Sequence, residues 1–311
     1  MALARAPRRR VDGVLLLDKP RGLSSNVVLQ RAKRLLAAEK AGHTGTLDPL
    51  ATGLLPLCFG EATKFAHALL DAPKEYVATV AFGQATTTGD AEGEVLSTCD
   101  VSFSRDALAR ALREFVGTIA QTPPRFAALK HQGRNYYEYA RAGVEIPRAP
   151  REVRIDAIEL LAWEPPQAVL RVACGKGTYI RALADDLGQT LGCGAHLAAL
   201  RRTGAAAFDV RDALTPDALE AMSESERDAH LLPIDGLLVD WPVVRLESDD
   251  AGRFLSGLRR RIDGADAAAV RVYGSEPHAF LGSAHIAGGE LIADRLLSPL
   301  EVRACSATAT S

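Results

Sequence analysis

From residue 75 to 82 apolar and polar positions alternate, and Tyr76, Ala78, Val80 and Phe82 fall on one face, which predicts a half-buried strand. Residues 14–17, all apolar, read as a short buried strand closed by Asp18-Lys19-Pro20-Arg21-Gly22. Ser24 or Ser25 can cap a helix to about residue 38, with Val28, Ala32, Leu35 and Leu36 on its apolar side. Further helices are predicted over 61–70 and over 107–116, the second with Gly117 just past its end. Residues 89–93 read as a turn into another strand, and strands return near 153–161 and 169–174. The helix after them carries Ile180, Leu183, Leu187 and Leu191 as its apolar stripe. Beyond about residue 233 the pattern changes. A helix is predicted over 248–262, then short strands near 270–273, 280–286 and 291–297 separated by glycines, the signature of a small β-barrel or sandwich.

A chain of 311 residues exceeds the usual size of one core, so two domains are expected. No apolar run approaches the ~20 residues that span a bilayer. The basic N-terminus lacks the apolar segment of a secretory signal, which predicts a flexible tail on a cytoplasmic protein. The five cysteines are scattered and never form a C-x-x-C pair, which argues against both a metal site and a disulfide framework.

Net charge is only −2, but it is unevenly spread. Residues 1–202 carry 27 Lys+Arg against 21 Asp+Glu, and residues 203–311 carry 10 against 18. A basic front suggests a face that meets a polyanion. Arg125, Lys130, Arg134, Arg141, Arg148, Arg151 and Arg154 interleave with Tyr136, Tyr137 and Tyr139, a composition suited to phosphates and bases, or equally to a solvated helical hairpin.

The stretch Gly42-His43-Thr44-Gly45-Thr46-Leu47-Asp48-Pro49-Leu50-Ala51-Thr52-Gly53 holds a single carboxylate among small and β-branched residues. Its glycines and proline fix the backbone, so it reads either as a loop presenting Asp48 for chemistry or as a plain Asx-type turn. Arg181 and Asp185, spaced i, i+4, can pair locally.

Five segments occur in order: Leu17-Asp18-Lys19-Pro20 with Gly22; residues 42–53; Asp90 within Thr86-Thr87-Thr88-Gly89-Asp90; Gly175-Lys176-Gly177-Thr178-Tyr179-Ile180-Arg181 with Ala182-Leu183; and His196-Leu197 through Leu200-Arg201-Arg202. In this order and spacing the chain resembles the TruB family of bacterial tRNA pseudouridine synthases over about residues 11–240. The C-terminal segment is more weakly similar to their PUA-like domain. Gly175 stands where the family pattern has serine.

The resemblance implies an α+β fold: a mixed, mostly antiparallel central sheet flanked by helices, with a small C-terminal PUA-like β domain. It implies a catalytic domain over 11–240 with a basic tRNA-binding insertion at about 124–152, a PUA-like domain over 241–303, and flexible tails at 1–10 and 304–311. The implied activity is isomerisation of uridine 55 in the T arm of tRNA, by base flipping and an aspartate nucleophile, with no redox cofactor, ATP or metal. Asp48 is the implied nucleophile, and Arg181 its partner, gripping it through a planar fork. Tyr76 is the ring that stacks on the flipped uracil and can assist proton transfer. Tyr179 and Leu200 are implied pocket residues, His43 a contact to the distorted RNA loop, Lys19 and Pro20 supports of the pocket floor, and Lys130 a phosphate contact. The expected partner is the T-arm stem-loop of tRNA, with no membrane and no guide RNA, and the chain is expected to act as a monomer. Two alternatives stay open: the guide-RNA-dependent branch of the superfamily, disfavoured because long basic tails are lacking, and an RNA-binding or tRNA-folding module, which can also coexist with catalysis. A carboxylate glycosidase is remoter, because no second facing acid accompanies Asp48.

Overall fold

The computed structural model describes residues 7–127, 129–274 and 279–308. Among the described residues the main body is a nine-stranded sheet. Seven strands form its spine: β1 (Gly13–Lys19), β2 (Thr52–Phe59), β3 (Lys74–Phe82), β4 (Gly117–Gln121), β5 (Arg151–Glu164), β6 (Gln167–Cys174) and β7 (Ala195–Ala205). Their spatial order is β1-β2-β7-β3-β6-β5-β4. Within this spine β7 runs parallel to β2, and every other neighbouring pair is antiparallel.

The β1 and β2 strands are buried on both faces, which is why they read as continuous apolar runs instead of alternating ones. Leu15, Leu17, Leu55 and Leu57 face a core shared with three helices, α1 (Ser25–Leu35), α2 (Arg105–Glu114) and α3 (Ile180–Thr190). Val14, Leu16, Leu54 and Cys58 face the opposite side. Ser24 caps α1 by accepting from the Val27 N–H, and Ser104 caps α2 by accepting from the Ala107 N–H.

The opposite side is covered by a five-stranded sheet in the order Val243–Leu246, Ala267–Gly274, Ala279–Ala287, Glu290–Leu296, Arg260–Arg261. Leu246, Val270, Val272, Leu281 and Leu291 of this sheet join Val14, Leu16 and Leu54 in one buried cluster. The small sheet is therefore packed on the back of the main one.

Several elements differ from the sequence reading. The helix expected over 61–70 is a 3-10 turn, Gly60–Lys64, followed by a short helix, His67–Asp71. Lys64 there donates to the Leu296 carbonyl and meets the carboxylates of Glu61 and Glu301, which ties this turn to the C-terminal segment. The helix expected over 248–262 stops at Leu255. Gly257, at φ 81°, reverses the chain, and the N–H groups of Gly257 and Leu258 close on the carbonyls of Phe254 and Arg253. The expected free tail does not hold at Arg9. Its backbone bridges Ala37 and Glu39, and its guanidinium donates to the Leu36 carbonyl and to Asp228. At the other end the helix Pro299–Thr308 occupies the start of the expected tail, while residues 1–6 and 309–311 lie outside the described residues. Among the described residues no helix is long and apolar enough to cross a membrane.

Candidate active site

Asp48 sits in a loop that its neighbours hold from below. Leu47 and Leu50 are buried in the core. The Ser25 hydroxyl accepts from the Leu47 N–H at 2.8 Å and donates to the Leu47 carbonyl at 3.0 Å. The Gly22 N–H donates to the Pro49 carbonyl at 2.8 Å, and Lys19 Nζ reaches the same oxygen at 3.4 Å. Lys19 is fully buried and also donates to the carbonyls of Pro20 and Leu23. With its hydrophobic shoulders anchored, the Asp48 carboxylate is left facing outward.

Arg181, in the first turn of α3, meets it. Its Nε lies 2.9 Å from Asp48 Oδ2 and 3.7 Å from Asp90 Oδ2. The remaining guanidinium nitrogens donate to backbone carbonyls, Nη1 to Thr88 at 3.2 Å and Nη2 to Phe126 at 2.7 Å. The expected two-point fork on Asp48 is thus replaced by one contact, because the outer prongs are engaged elsewhere. Asp185 accepts from Gln189 at 2.9 Å, and Arg181 turns inward to the carboxylates. Asp90 is itself held, with Oδ1 accepting from the Thr88 hydroxyl at 2.6 Å and the Glu92 N–H at 3.1 Å.

Above the carboxylate opens a cavity of about 280 Å³, lined by Asp48, Tyr76, Tyr179, Arg181 and Leu200, and also by Lys74 and Arg202. Tyr76 comes from β3 and Leu200 from β7, the adjacent strand. Tyr179 immediately precedes α3. The buried Gln121 side chain fixes its backbone, accepting from its N–H at 2.8 Å and donating to its carbonyl at 3.0 Å.

The other expected residues lie outside this lining. Lys19 braces the loop from beneath, and Pro20 is exposed. His43 ends the short strand Ala41–His43, its Nδ1 buried without a hydrogen-bond partner among the described residues. Lys130 is exposed on a β-hairpin, Lys130–His131 against Arg134–Asn135, which leads into the short helix Tyr136–Arg141. The alternative of a helical hairpin therefore does not hold for the basic insertion. Arg134 and Arg141 lie over the rings of Tyr139 and Tyr137, while Tyr136 is buried.

Asp90, Lys74 and Arg202 were given no role by the sequence reading. Asp90 and Arg202 lie inside the recognised segments, but an acid in a Thr/Gly/Glu turn and the second of two adjacent arginines both read as surface charges and carry no sign of their burial. Lys74 precedes Tyr76 by two on the same strand, and that period-two spacing is the signal that would have placed it on the same face.

Burial raises the Asp48 pKa above the ordinary aspartate range; the charges of Arg181 and Lys19 oppose that shift, and the Asp90 carboxylate adds to it. Burial also raises both phenols, Tyr76 and Tyr179, and lowers Lys19 and Lys74 to about 8, with Arg202 adding to the effect at Lys74. Because the Asp48 value is raised, its charge is lost at a higher pH than for a free aspartate (about 3.9). The rate of any step that uses the carboxylate should therefore fall, as pH drops, before it reaches that value. Arg181→Met, which removes the opposing charge, should move the acid limb of a pH–rate profile further upward; an unmoved limb would detach the limb from Asp48.

Comparison with known proteins matches this architecture throughout. Residues 33–180 match the family model described as the N-terminal domain of TruB family pseudouridylate synthase. Residues 181–239 match the tRNA pseudouridylate synthase B C-terminal domain, and residues 242–297 match the model described as Pseudouridine synthase II TruB, C-terminal. The tRNA pseudouridine synthase B of Burkholderia lata is 55% identical over 299 residues, covering 94% of this chain and 92% of its own. That of Verminephrobacter eiseniae is 54% identical over 305 residues, covering 96% and 92%. Among solved structures, a Cbf5-Nop10-Gar1 complex aligns with a TM-score of 0.72 at 25% identity, over 93% of this chain and 86% of that one. An H/ACA RNP bound to a substrate RNA containing 2'-deoxyuridine aligns with a TM-score of 0.69 at 25% identity, over 92% and 85%.

Fold and matches together define a pseudouridine synthase, an isomerase. The chain belongs to the TruB family, whose reaction converts uridine to pseudouridine in tRNA.

Proposed function

We propose that the substrate is uridine 55 of the T-arm loop, that it is flipped into the 280 Å³ cavity, and that Asp48 is the nucleophile. The observation that carries this reading is the Asp48–Arg181 contact at the floor of a cavity walled by two tyrosines and a leucine. The reaction breaks the bond from ribose to the base nitrogen and makes one from the same ribose carbon to a base carbon. Nothing enters or leaves overall. A carboxylate at this position serves either of two routes, attack on the ribose carbon or attack on the uracil ring. Extruding the base costs a few kcal/mol, and stacking on a ring such as Tyr76 returns roughly 1–3 kcal/mol of it.

In this reading residues 11–240 are the catalytic unit, 124–152 grip the tRNA, 241–303 form the PUA-like domain, and the chain works in the cytoplasm as a monomer without guide RNA. The test is to incubate the purified chain alone with an unmodified tRNA transcript and map pseudouridine. Product at position 55 is expected. Product only after a guide RNA or partner protein is added would overturn the standalone reading, and product at another position would overturn the site.

Lys130 and Arg134 project from the hairpin, where they can neutralise phosphates. Changing both to alanine should weaken tRNA binding and reduce the salt slope of log affinity by about 1 for each phosphate no longer neutralised. An affinity that matches the parent at every salt concentration removes this hairpin from the interface.

A further inference from the structure

Arg202 is 1% exposed, deep in β7. Its Nε donates to the Leu54 carbonyl at 2.6 Å and its Nη2 to the Gly45 carbonyl at 3.2 Å. Among the described residues no carboxylate comes within ion-pair distance of it, whereas Arg181 meets Asp48 and Arg201 meets Asp18. A buried cation left without an anion is expensive. The surrounding chain is shaped to accommodate it. Gly45, at φ 96°, lies so close to the guanidinium that a Cβ there would fall 3.3 Å from Arg202 Nη1.

Register shows what the cation faces. Arg202 and Tyr76 are directly paired across β7 and β3, so their side chains leave the sheet on the same face. Both line the cavity. A phenol oxygen can accept from a guanidinium and still donate its own O–H elsewhere. We propose that Arg202 is a positioning residue for Tyr76: pinned by the carbonyls of Leu54 and Gly45, it occupies the phenol's acceptor side and so directs the Tyr76 O–H, as a strengthened donor, toward the base in the cavity. The charge of Arg202 favours ionisation of the phenol against the larger effect of burial, in keeping with that arrangement. The inference rests on the proposed role of Tyr76 in handling the flipped base.

A double-mutant cycle tests it. Wild type, Tyr76→Phe, Arg202→Lys and the double variant are compared in single turnover with enzyme in excess over tRNA, alongside tRNA affinity and thermal melting. Tyr76→Phe and Arg202→Lys are each expected to slow product formation by about 100-fold, the usual scale of a positioned proton donor, with affinity within about threefold of wild type. The double variant should be no slower than Tyr76→Phe to within about threefold, because Arg202 acts through the hydroxyl that Phe lacks. Arg202→Gln, uncharged but able to reach the Leu54 carbonyl, serves if the lysine variant does not fold. Losses that multiply in the double variant, a near-normal Arg202→Lys beside an impaired Tyr76→Phe, or collapse of both melting and tRNA affinity in both Arg202 variants would each overturn the proposal. A fully active Tyr76→Phe would instead overturn the role given to Tyr76.

Discussion

Asp48→Asn is expected to bind tRNA with near-normal affinity and to form no pseudouridine, a fall of at least about 10⁴-fold in single turnover. Asparagine keeps the shape of the side chain, so the loop and the cavity should persist. What it removes is the negative charge, leaving a neutral amide oxygen that is a far weaker nucleophile. Stability should change little. The Asp48 side chain is 39% exposed to the cavity, and Arg181 retains the Thr88 and Phe126 carbonyls and the nearby Asp90 carboxylate after the change. The loop is held by Ser25, Gly22 and Lys19 through Leu47 and Pro49, none of which involves the Asp48 carboxylate. Pseudouridine formed at a measurable fraction of the wild-type rate would remove Asp48 as the nucleophile, whatever its position in the structure.

That loop also shows how far a sequence alone reaches. Its glycines, its proline and its isolated acid mark a presented carboxylate, and the motif order marks Arg181, Tyr76, Tyr179 and Leu200. All five line one cavity. The alternating strand over 75–82 and the capped helix after Ser24 were legible because each has one buried face, so polarity follows the period of the backbone. The β2 and β7 strands were not legible as strands. The first is buried on both sides and shows no alternation. The second contains two arginines and register irregularities opposite β3, so its pattern is broken where it matters most. Arg202 illustrates the general limit. An arginine reads as surface, and the carbonyls of Leu54 and Gly45 that receive it come from more than 140 residues earlier in the chain.

The same limit applies to Arg181, and it shapes the second large effect. Spacing offered Asp185 as a partner, and resemblance offered a two-point grip on Asp48. The structure instead gives Arg181 a contact to each of two acids and one hydrogen bond to each of two backbone carbonyls. The Phe126 carbonyl lies at the root of the basic insertion and the Thr88 carbonyl in the turn that carries Asp90, so one planar group ties two separate segments to the Asp48 loop. Lysine keeps the charge but has a single nitrogen, and it cannot span all these acceptors at once. Arg181→Lys is therefore expected to lose at least about 100-fold in single-turnover rate, the scale of a misplaced reacting group, while tRNA affinity stays close to wild type. Leaving these half-buried carbonyls without donors should also lower stability by about 1 kcal/mol, visible as a reduced melting temperature. If Arg181→Lys instead forms pseudouridine within about threefold of the wild-type rate, charge alone is what Asp48 requires, and the geometry of the guanidinium is incidental to the reaction.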